Sequence, residues 1–230
     1  MTWPSGTADP ALAHVRVGPP VHPAPILPRL LLLTDRSQLR LGRGLVRTVA
    51  ECVDAGLTHV VLRELDLPHP HRAALAAELA GVGATVIAAH RSLPGGGGVH
   101  LAATAPCNAV SGAPLRSCST AEAGVTPRYK RISGRSCHTP AEVTAAAAAG
   151  FDYATLGPYA LTASKPGYGP ALSTAAYAGH PIPVYALGGV EPHNAAASRA
   201  AGAYGVAVMG AVMRAAEPAA VIRDLTEVVR

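Results

Sequence analysis

Apolar residues in this chain fall into short runs of four to six, separated by longer stretches where they recur at every third or fourth position. The short runs are too brief for helices, and their near-continuous apolar character suits strands covered on both faces. Eight strands are predicted: Leu30 to Thr34, His59 to Arg63, Thr85 to Ala89, Gly98 to Leu101, Arg131 to Ser136, Tyr153 to Gly157, Val184 to Leu187 and Gly205 to Met209. Helical spacing is clearest at Leu45 to Ala55, Ala73 to Leu79, Pro140 to Ala149, Asn194 to Ala201 and Pro218 to Val229. Thr139 ahead of Pro140, with Glu142 three residues on and Gly150 beyond, gives the third of these a capped start and a stop. Strands alternating with helices build a parallel sheet, and eight such units close it. The expected fold class is α/β: a single (β/α)8 TIM barrel over residues 29–230.

Two connections depart from the repeat. Between the third and fourth strands there is only Arg91-Ser92-Leu93-Pro94 and then Gly95 to Gly98, too short and too flexible for a full crossover, so the third helix is expected to be vestigial. Between the fourth and fifth strands, Ala102 to Lys130 is long and rich in Ala, Ser, Thr and Pro, and is expected to form a loop or short helix over the pocket. Seven prolines between Pro4 and Pro28 mark residues 1–28 as a loosely ordered lead. That lead has no basic start followed by an apolar core, so secretion is not expected. The longest apolar runs, such as Leu30 to Leu33, are far below membrane-spanning length. A cytoplasmic protein is the expectation.

Composition narrows the partners. Hydrophobic residues make up 49% and charged residues 14% of 230 positions, which suits one well-buried domain. The net charge of +5 arises from 19 Lys and Arg against 14 acids, without a basic block and with one Trp and one Phe for base stacking. Small acidic molecules fit this better than nucleic acid; solvated arginines on helix faces explain the surplus equally well. Cys52, Cys107, Cys118 and Cys137 show no CxxC spacing, so reduced thiols are expected rather than a disulfide framework or structural zinc.

In such a barrel the chemistry sits at the C-terminal ends of the strands. In Gly134-Arg135-Ser136-Cys137-His138-Thr139, His138 falls where strand five gives way to its helix. An imidazole with an ordinary pKa of about 6.5 takes and returns a proton near neutrality. The plainer reading is a histidine that caps or packs. Gly188-Gly189 after strand seven and Met209-Gly210 after strand eight sit where TIM barrels offer backbone N–H groups to phosphate, or are ordinary turn glycines. Thr162 and Lys165, past strand six, could reach a phosphate or carboxylate, or could lie in solvent. Arg63 could grip a carboxylate, or pair with Glu64 or Asp35. Asp35 and Arg36 read mainly as rim structure. His90, His100 and His138 end adjacent strands, so a three-histidine metal site stands beside a simpler reading of His100 as a hydrogen-bonded core residue.

The order of motifs resembles one family. Leu33-Thr34-Asp35-Arg36, Leu62-Arg63-Glu64, Gly98-Val99-His100-Leu101, Gly134-Arg135-Ser136-Cys137-His138, Asp152-Tyr153 with Leu156-Gly157-Pro158, Thr162 with Lys165-Pro166-Gly167, Ala186-Leu187-Gly188-Gly189-Val190 and Gly205 to Met209 are similar to the thiamin phosphate synthase and TenI superfamily. The resemblance runs from about Leu30 to the C-terminus. It implies a TIM-type barrel, usually oligomeric (a dimer or tetramer), that binds a thiazole phosphate.

The synthase branch looks for a lysine after the Arg-Glu pair, an Asn-Asp pair after strand three and an aspartate after the Val-His-Leu strand. This chain has Leu65, Ala89 with His90, and Ala102 to Pro106 at those places. Mg²⁺ needs hard oxygen ligands, so the departures disfavour the synthase. The tautomerase branch needs no metal, and its pattern is similar to Gly134-Arg135-Ser136-x-His138, which implies His138 as acid/base; Ser136, Arg63, Thr162 and Lys165 are the expected substrate contacts. The expectation is therefore a thiazole tautomerase-like isomerase without cofactor or metal. The alternatives are a divergent Mg²⁺-dependent synthase, a binding-only regulator, or an isomerase recruited to another heterocycle.

Overall fold

The computed structural model describes residues 26–105, 131–161 and 170–230. Eight parallel strands close in sequence order into a barrel: β1 (Leu30–Leu33), β2 (His59–Leu62), β3 (Thr85–Ala89), β4 (Gly98–Leu101), β5 (Ile132–Cys137), β6 (Tyr153–Leu156), β7 (Val184–Leu187) and β8 (Gly205–Val208), with β8 pairing back to β1. The expected fold class holds, and the strands lie within a residue of their expected bounds. The described helices are α1 (Leu45–Asp54), α2 (His69–Gly81), α3 (Pro140–Ala148), α4 (Pro192–Ala200), α5 (Gly210–Met213) and α6 (Pro218–Val229).

Every residue of β1, β3's last four, β4, β6 and β8 is buried, because one face looks into the barrel and the other is covered by helices. Alternation sorts the two faces. Leu31, Leu33, Val61, Ile87, Ala89, Ile132, Tyr153, Tyr185 and Ala207 pack together inside the barrel, with Leu187 and Met209 against them. Leu32, Val60, Leu62, Val86, Ala154, Ala186 and Val206 point outward and pack with Val49, Leu79, Val143, Ala195, Ile222 and Leu225 of the helices.

The third helix is absent. His90 to Gly97 connects β3 to β4 directly, closed by hydrogen bonds from Gly97 N to Val86 O (2.8 Å) and from His90 N to His100 O (2.9 Å). Helix α3 starts as expected: Thr139 Oγ1 accepts from Glu142 N at 3.2 Å, and the Glu142 carboxylate accepts from His138 N at 2.5 Å. Helix α2 begins four residues before its expected start, at His69. Pro70 sits in its first turn, where the missing N–H costs nothing, so a His-Pro-His string that reads as loop is a helix start. The four-residue α5 went unforeseen because it is too short to carry a period. Residues 1–25 and most of Ala102 to Lys130 lie outside the described residues, and with them the expectations for the lead and the long loop.

Candidate active site at the barrel mouth

The inward registers decide which side chains face the mouth. Val61 and Ile132 point inward, so Arg63, two past the first, and Ser136, four past the second, do as well. The same rule places Thr155 inward, two past Tyr153, and its register partner across the sheet is Ser136. His100 sits 5% exposed on β4, its Nδ1 3.0 Å from the Tyr153 hydroxyl and its Nε2 2.9 Å from Ser136 Oγ. Burial first, then the charges of His90 and Arg63, pull its pKa down to about 3, so the ring is neutral near pH 7. Burial and Asp152 push the Tyr153 phenol well above its usual value, so it keeps its proton. Tyr153 stacks on His100 with ring centroids 5.5 Å apart and meets Tyr185 edge-on at 5.4 Å.

Arg63 is half-buried, with its backbone N–H donating to Thr34 Oγ1 at 3.0 Å and its Nη1 2.6 Å from the Met209 sulfur. The Glu64 carboxylate instead accepts from Arg36, at 3.1 Å from the backbone N–H and 2.9 Å from Nη1, and Arg36 also pairs with Asp66. Burial raises the pKa of Asp35, but hydrogen bonds from Ser37 and Gln38 and the charge of Arg63 outweigh it and leave the carboxyl below its ordinary value. Asp35 and Arg36 are thus rim structure, as expected. A cavity of about 520 Å³ opens beside them, lined by Asp35, Arg36, Arg43, Glu64 and Asp66 among others. None of the expected site residues that are described lines it.

His138 lies exposed at the rim, with Nδ1 3.1 Å from the Gly157 carbonyl oxygen. Gly188 and Gly189 take φ of 93° and 66°. A Cβ on Gly189 would stand 2.5 Å from Leu161 O and 2.6 Å from Ala160 O, so these glycines admit the backbone that follows β6. That strip is tied down by Tyr159 N donating to Leu187 O and Ala160 N to Gly188 O, both at 2.9 Å. On the far side, the Arg214 guanidinium lies over Gly210, its Cζ 2.6 Å from where a Cβ would stand. Thr162 and Lys165 lie outside the described residues.

Sequence reasoning missed three contributors. Arg72, 5% exposed on α2, donates from Nη2 to Leu62 O at 2.9 Å and to Ala89 O, tying together the ends of β2 and β3. Its signal was hidden by the misplaced helix start. Tyr153 falls in a predicted strand and in one of the family strings without an expected site role, although counting by twos from Gly157 puts it on the inner face. Arg214 follows a helix that sequence could not show.

The donor set for a divalent cation is poor. At the places where the resemblance looks for a lysine, an Asn-Asp pair and an aspartate stand exposed Leu65, buried Ala89 with exposed His90, and Ala102 to Ala105. The mouth carboxylates Glu64 and Asp66 are held by Arg36, and Asp35 by Ser37 and Gln38. No group of three His, Cys, Asp or Glu side chains able to hold a metal occurs among the described residues. The described residues of the mouth do not fit Mg²⁺.

Comparisons with known proteins place this arrangement. The chain is 34% identical over 201 residues to a putative thiamine-phosphate synthase of Geobacter sulfurreducens, covering 82% of this chain and 88% of that one. It is 41% identical over 103 residues to the thiamine biosynthesis bifunctional protein ThiM/ThiE of Symbiobacterium thermophilum, covering 43% of this chain and only 22% of that larger protein. The solved thiamine phosphate pyrophosphorylase from Pyrococcus furiosus superposes with a TM-score of 0.70 at 23% identity, covering 87% of this chain and 95% of that one, a likeness of fold. These names correct the expectation of a thiazole tautomerase. The relatives are named as synthases, which are transferases, and the isomerase assignment does not stand. The pattern of the family described as TMP-TENI, thiamine monophosphate synthase, matches residues 30–212, and the chain belongs to that family.

Proposed function

We propose that this protein is a divergent thiamine-phosphate synthase, joining the ring nitrogen of a thiazole phosphate to the methylene carbon that carries the pyrophosphate of a pyrimidine pyrophosphate, with the C–O bond to pyrophosphate breaking. The observation that carries this reading is the 34% identity to a putative synthase across 82% of the chain and 88% of the relative. The mouth suits anions. Arg63 points inward beside it, Arg214 lies over Gly210, and the nearby carboxylates of Glu64 and Asp66 are already matched by Arg36.

In this reading the backbone at Gly188-Gly189 and Met209-Gly210 holds the thiazole phosphate, and Arg63 sits against the pyrophosphate as a fixed positive charge. Ser136 and Thr155 face the ring systems from the floor. His138, anchored through Nδ1 to the Gly157 carbonyl, borders the substrate from the rim. The work of these residues is to bring the thiazole nitrogen and the pyrimidine carbon together and to stabilise the departing charge.

The poor Mg²⁺ donor set favours a second reading, a protein that binds thiazole phosphate or thiamin phosphate without turnover. One experiment separates the two. The purified protein is incubated with the pyrimidine pyrophosphate and thiazole phosphate, with added Mg²⁺ or with EDTA, and thiamin phosphate is measured alongside calorimetric binding. Product above the buffer rate supports the synthase. Binding without product supports the second reading, and neither product nor binding overturns both.

A further inference from the structure

Behind the mouth, three side chains form a line that the proposed transfer does not by itself require: Tyr153, His100 and Ser136. Gly134 makes the line sterically accessible, since a Cβ there would stand 2.6 Å from the Tyr153 hydroxyl oxygen and closer still to its ring.

Proton accounting along the line has one consistent solution. Tyr153 is fully buried, and among the described residues its hydroxyl has one hydrogen-bonding partner, His100 Nδ1 at 3.0 Å. A buried phenol that keeps its proton has to donate it or bear the full desolvation penalty of an orphaned donor. Nδ1 therefore accepts, and the single proton of the neutral ring resides on Nε2. Nε2 lies 2.9 Å from Ser136 Oγ, so the serine oxygen accepts from the imidazole. The serine's own proton is then left to point into the mouth. With the opposite tautomer, Nδ1–H would meet a phenol with no acceptor for its own hydrogen, and Ser136 would turn its proton inward.

A second observation falls at the same place. Thr155, the register partner of Ser136 on the inner face, is 1% exposed, and its hydroxyl has no hydrogen-bonding partner among the described residues. A buried threonine hydroxyl without a partner marks a position where a bound molecule or water completes the bonding.

We infer that Tyr153 and His100 are positioning residues that lock the Ser136 hydroxyl as a hydrogen-bond donor toward the mouth, where with Thr155 it selects a ligand atom bearing a lone pair and no proton. An unprotonated ring nitrogen or an anionic oxygen meets that requirement; an N–H does not. The charged and titratable groups facing His100 are Tyr153, Arg63 and His90; the phenol keeps its proton and the other two disfavour a cationic ring, so the lock holds without a proton change near neutral pH. The inference rests on the proposed function only for the choice of probe ligand.

The test uses the full-length chain labelled with ¹⁵N-histidine. At pH 7 the His100 ring is expected to show a protonated Nε2 and a bare Nδ1, and to keep that pattern down to pH 5. Tyr153→Phe preserves the packing and removes the donated proton. It is expected to shift His100 toward the Nδ1–H tautomer and to weaken thiamin phosphate binding by about threefold to tenfold. His100→Leu should lose affinity similarly, and His100→Gln, whose amide N–H replaces Nε2–H, should restore most of it. If either His100 variant fails to fold, Tyr153→Phe decides alone. An Nδ1–H tautomer in the wild type, or an unchanged tautomer in Tyr153→Phe, overturns the inference. Wild-type protein that does not bind thiamin phosphate counts against the proposed function, while the tautomer still decides the lock.

Discussion

Gly134→Ala tests the interior geometry most directly. The added methyl would stand 2.6 Å from the Tyr153 hydroxyl oxygen and nearer to two ring carbons, against an ordinary carbon–carbon contact of about 3.5–4.0 Å. The ring therefore has to move by more than an ångström. It has nowhere to go: Tyr185 meets one side edge-on and His100 stacks on the other, each about one ring spacing away. Overpacking of this kind costs about 1–3 kcal/mol, and loss of the Tyr153–His100 hydrogen bond adds about 1 kcal/mol. The expected destabilisation is about 2–4 kcal/mol, which for a domain of this size lowers Tm by roughly 4–16 °C. Urea unfolding measures it as a fall in midpoint at unchanged slope. Gly81→Ala is the control, because a Cβ at that helix position meets nothing within 4 Å and should be neutral or stabilising by up to about 1 kcal/mol. Tyr153→Leu should relieve the clash, so the double variant should be less destabilised than the sum of the singles. A cost below about 0.5 kcal/mol for Gly134→Ala, or strict additivity with Tyr153→Leu, would show that the ring does not cross β5 here.

Other perturbations probe different parts of the barrel. Arg72→Met keeps the side-chain bulk but removes the donor shared by Leu62 O and Ala89 O; a loss of about 1–3 kcal/mol by urea unfolding is expected, and an unchanged midpoint would contradict the tie. His100 has a folded pKa of about 3, below the unfolded value of about 6.5, so the unfolded chain binds the extra proton in between. Its stabilising contribution is thus complete above about pH 6.5 and is lost as pH falls toward 3, at up to about 1.4 kcal/mol per pH unit. His100→Gln should flatten the stability–pH curve in that window, and an equally steep curve would refute the assignment. Gly189→Ala forces a side chain onto a φ of 66° and against Ala160 O and Leu161 O. It should cost about 1–3 kcal/mol and weaken thiamin phosphate binding at least tenfold by calorimetry. Lost stability with unchanged affinity would leave Gly189 a packing residue.

How much of this was legible in the sequence depends on the length over which each signal repeats. The strands were placed within a residue because a buried parallel strand is a local apolar run bounded by Gly, Asp or Arg, and eight such runs in alternation leave few topologies. The missing third helix was equally plain, since four glycines in a row cannot form one. Helix α2 was cut short because Pro70 imitates a loop, and α5 was invisible at four residues. Within the site, Arg63 and Ser136 could be placed at the mouth by counting along a strand. Arg72 could not, because its bonds to Leu62 and Ala89 join residues distant in sequence through a helix start that the pattern obscured.

The branch of the family was the least legible feature, for a physical reason. Sequence strings such as Gly134-Arg135-Ser136-Cys137-His138 fix where a side chain stands along the strand, and His138 does stand at the end of β5. They do not fix what it bonds to, and its Nδ1 is held by the Gly157 carbonyl of the neighbouring strand. The absent carboxylates at Leu65 and Ala89 argue against a metal, yet their absence does not by itself choose between proton transfer and C–N bond formation. Those reactions differ in which atoms of two ligands meet, and the mouth presents to both the same features: Arg63 inside, arginine-matched carboxylates at the rim and a floor of hydroxyls. The orientation of those hydroxyl protons is where reactions on one scaffold can diverge, and Tyr153, acting through His100, sets it for Ser136.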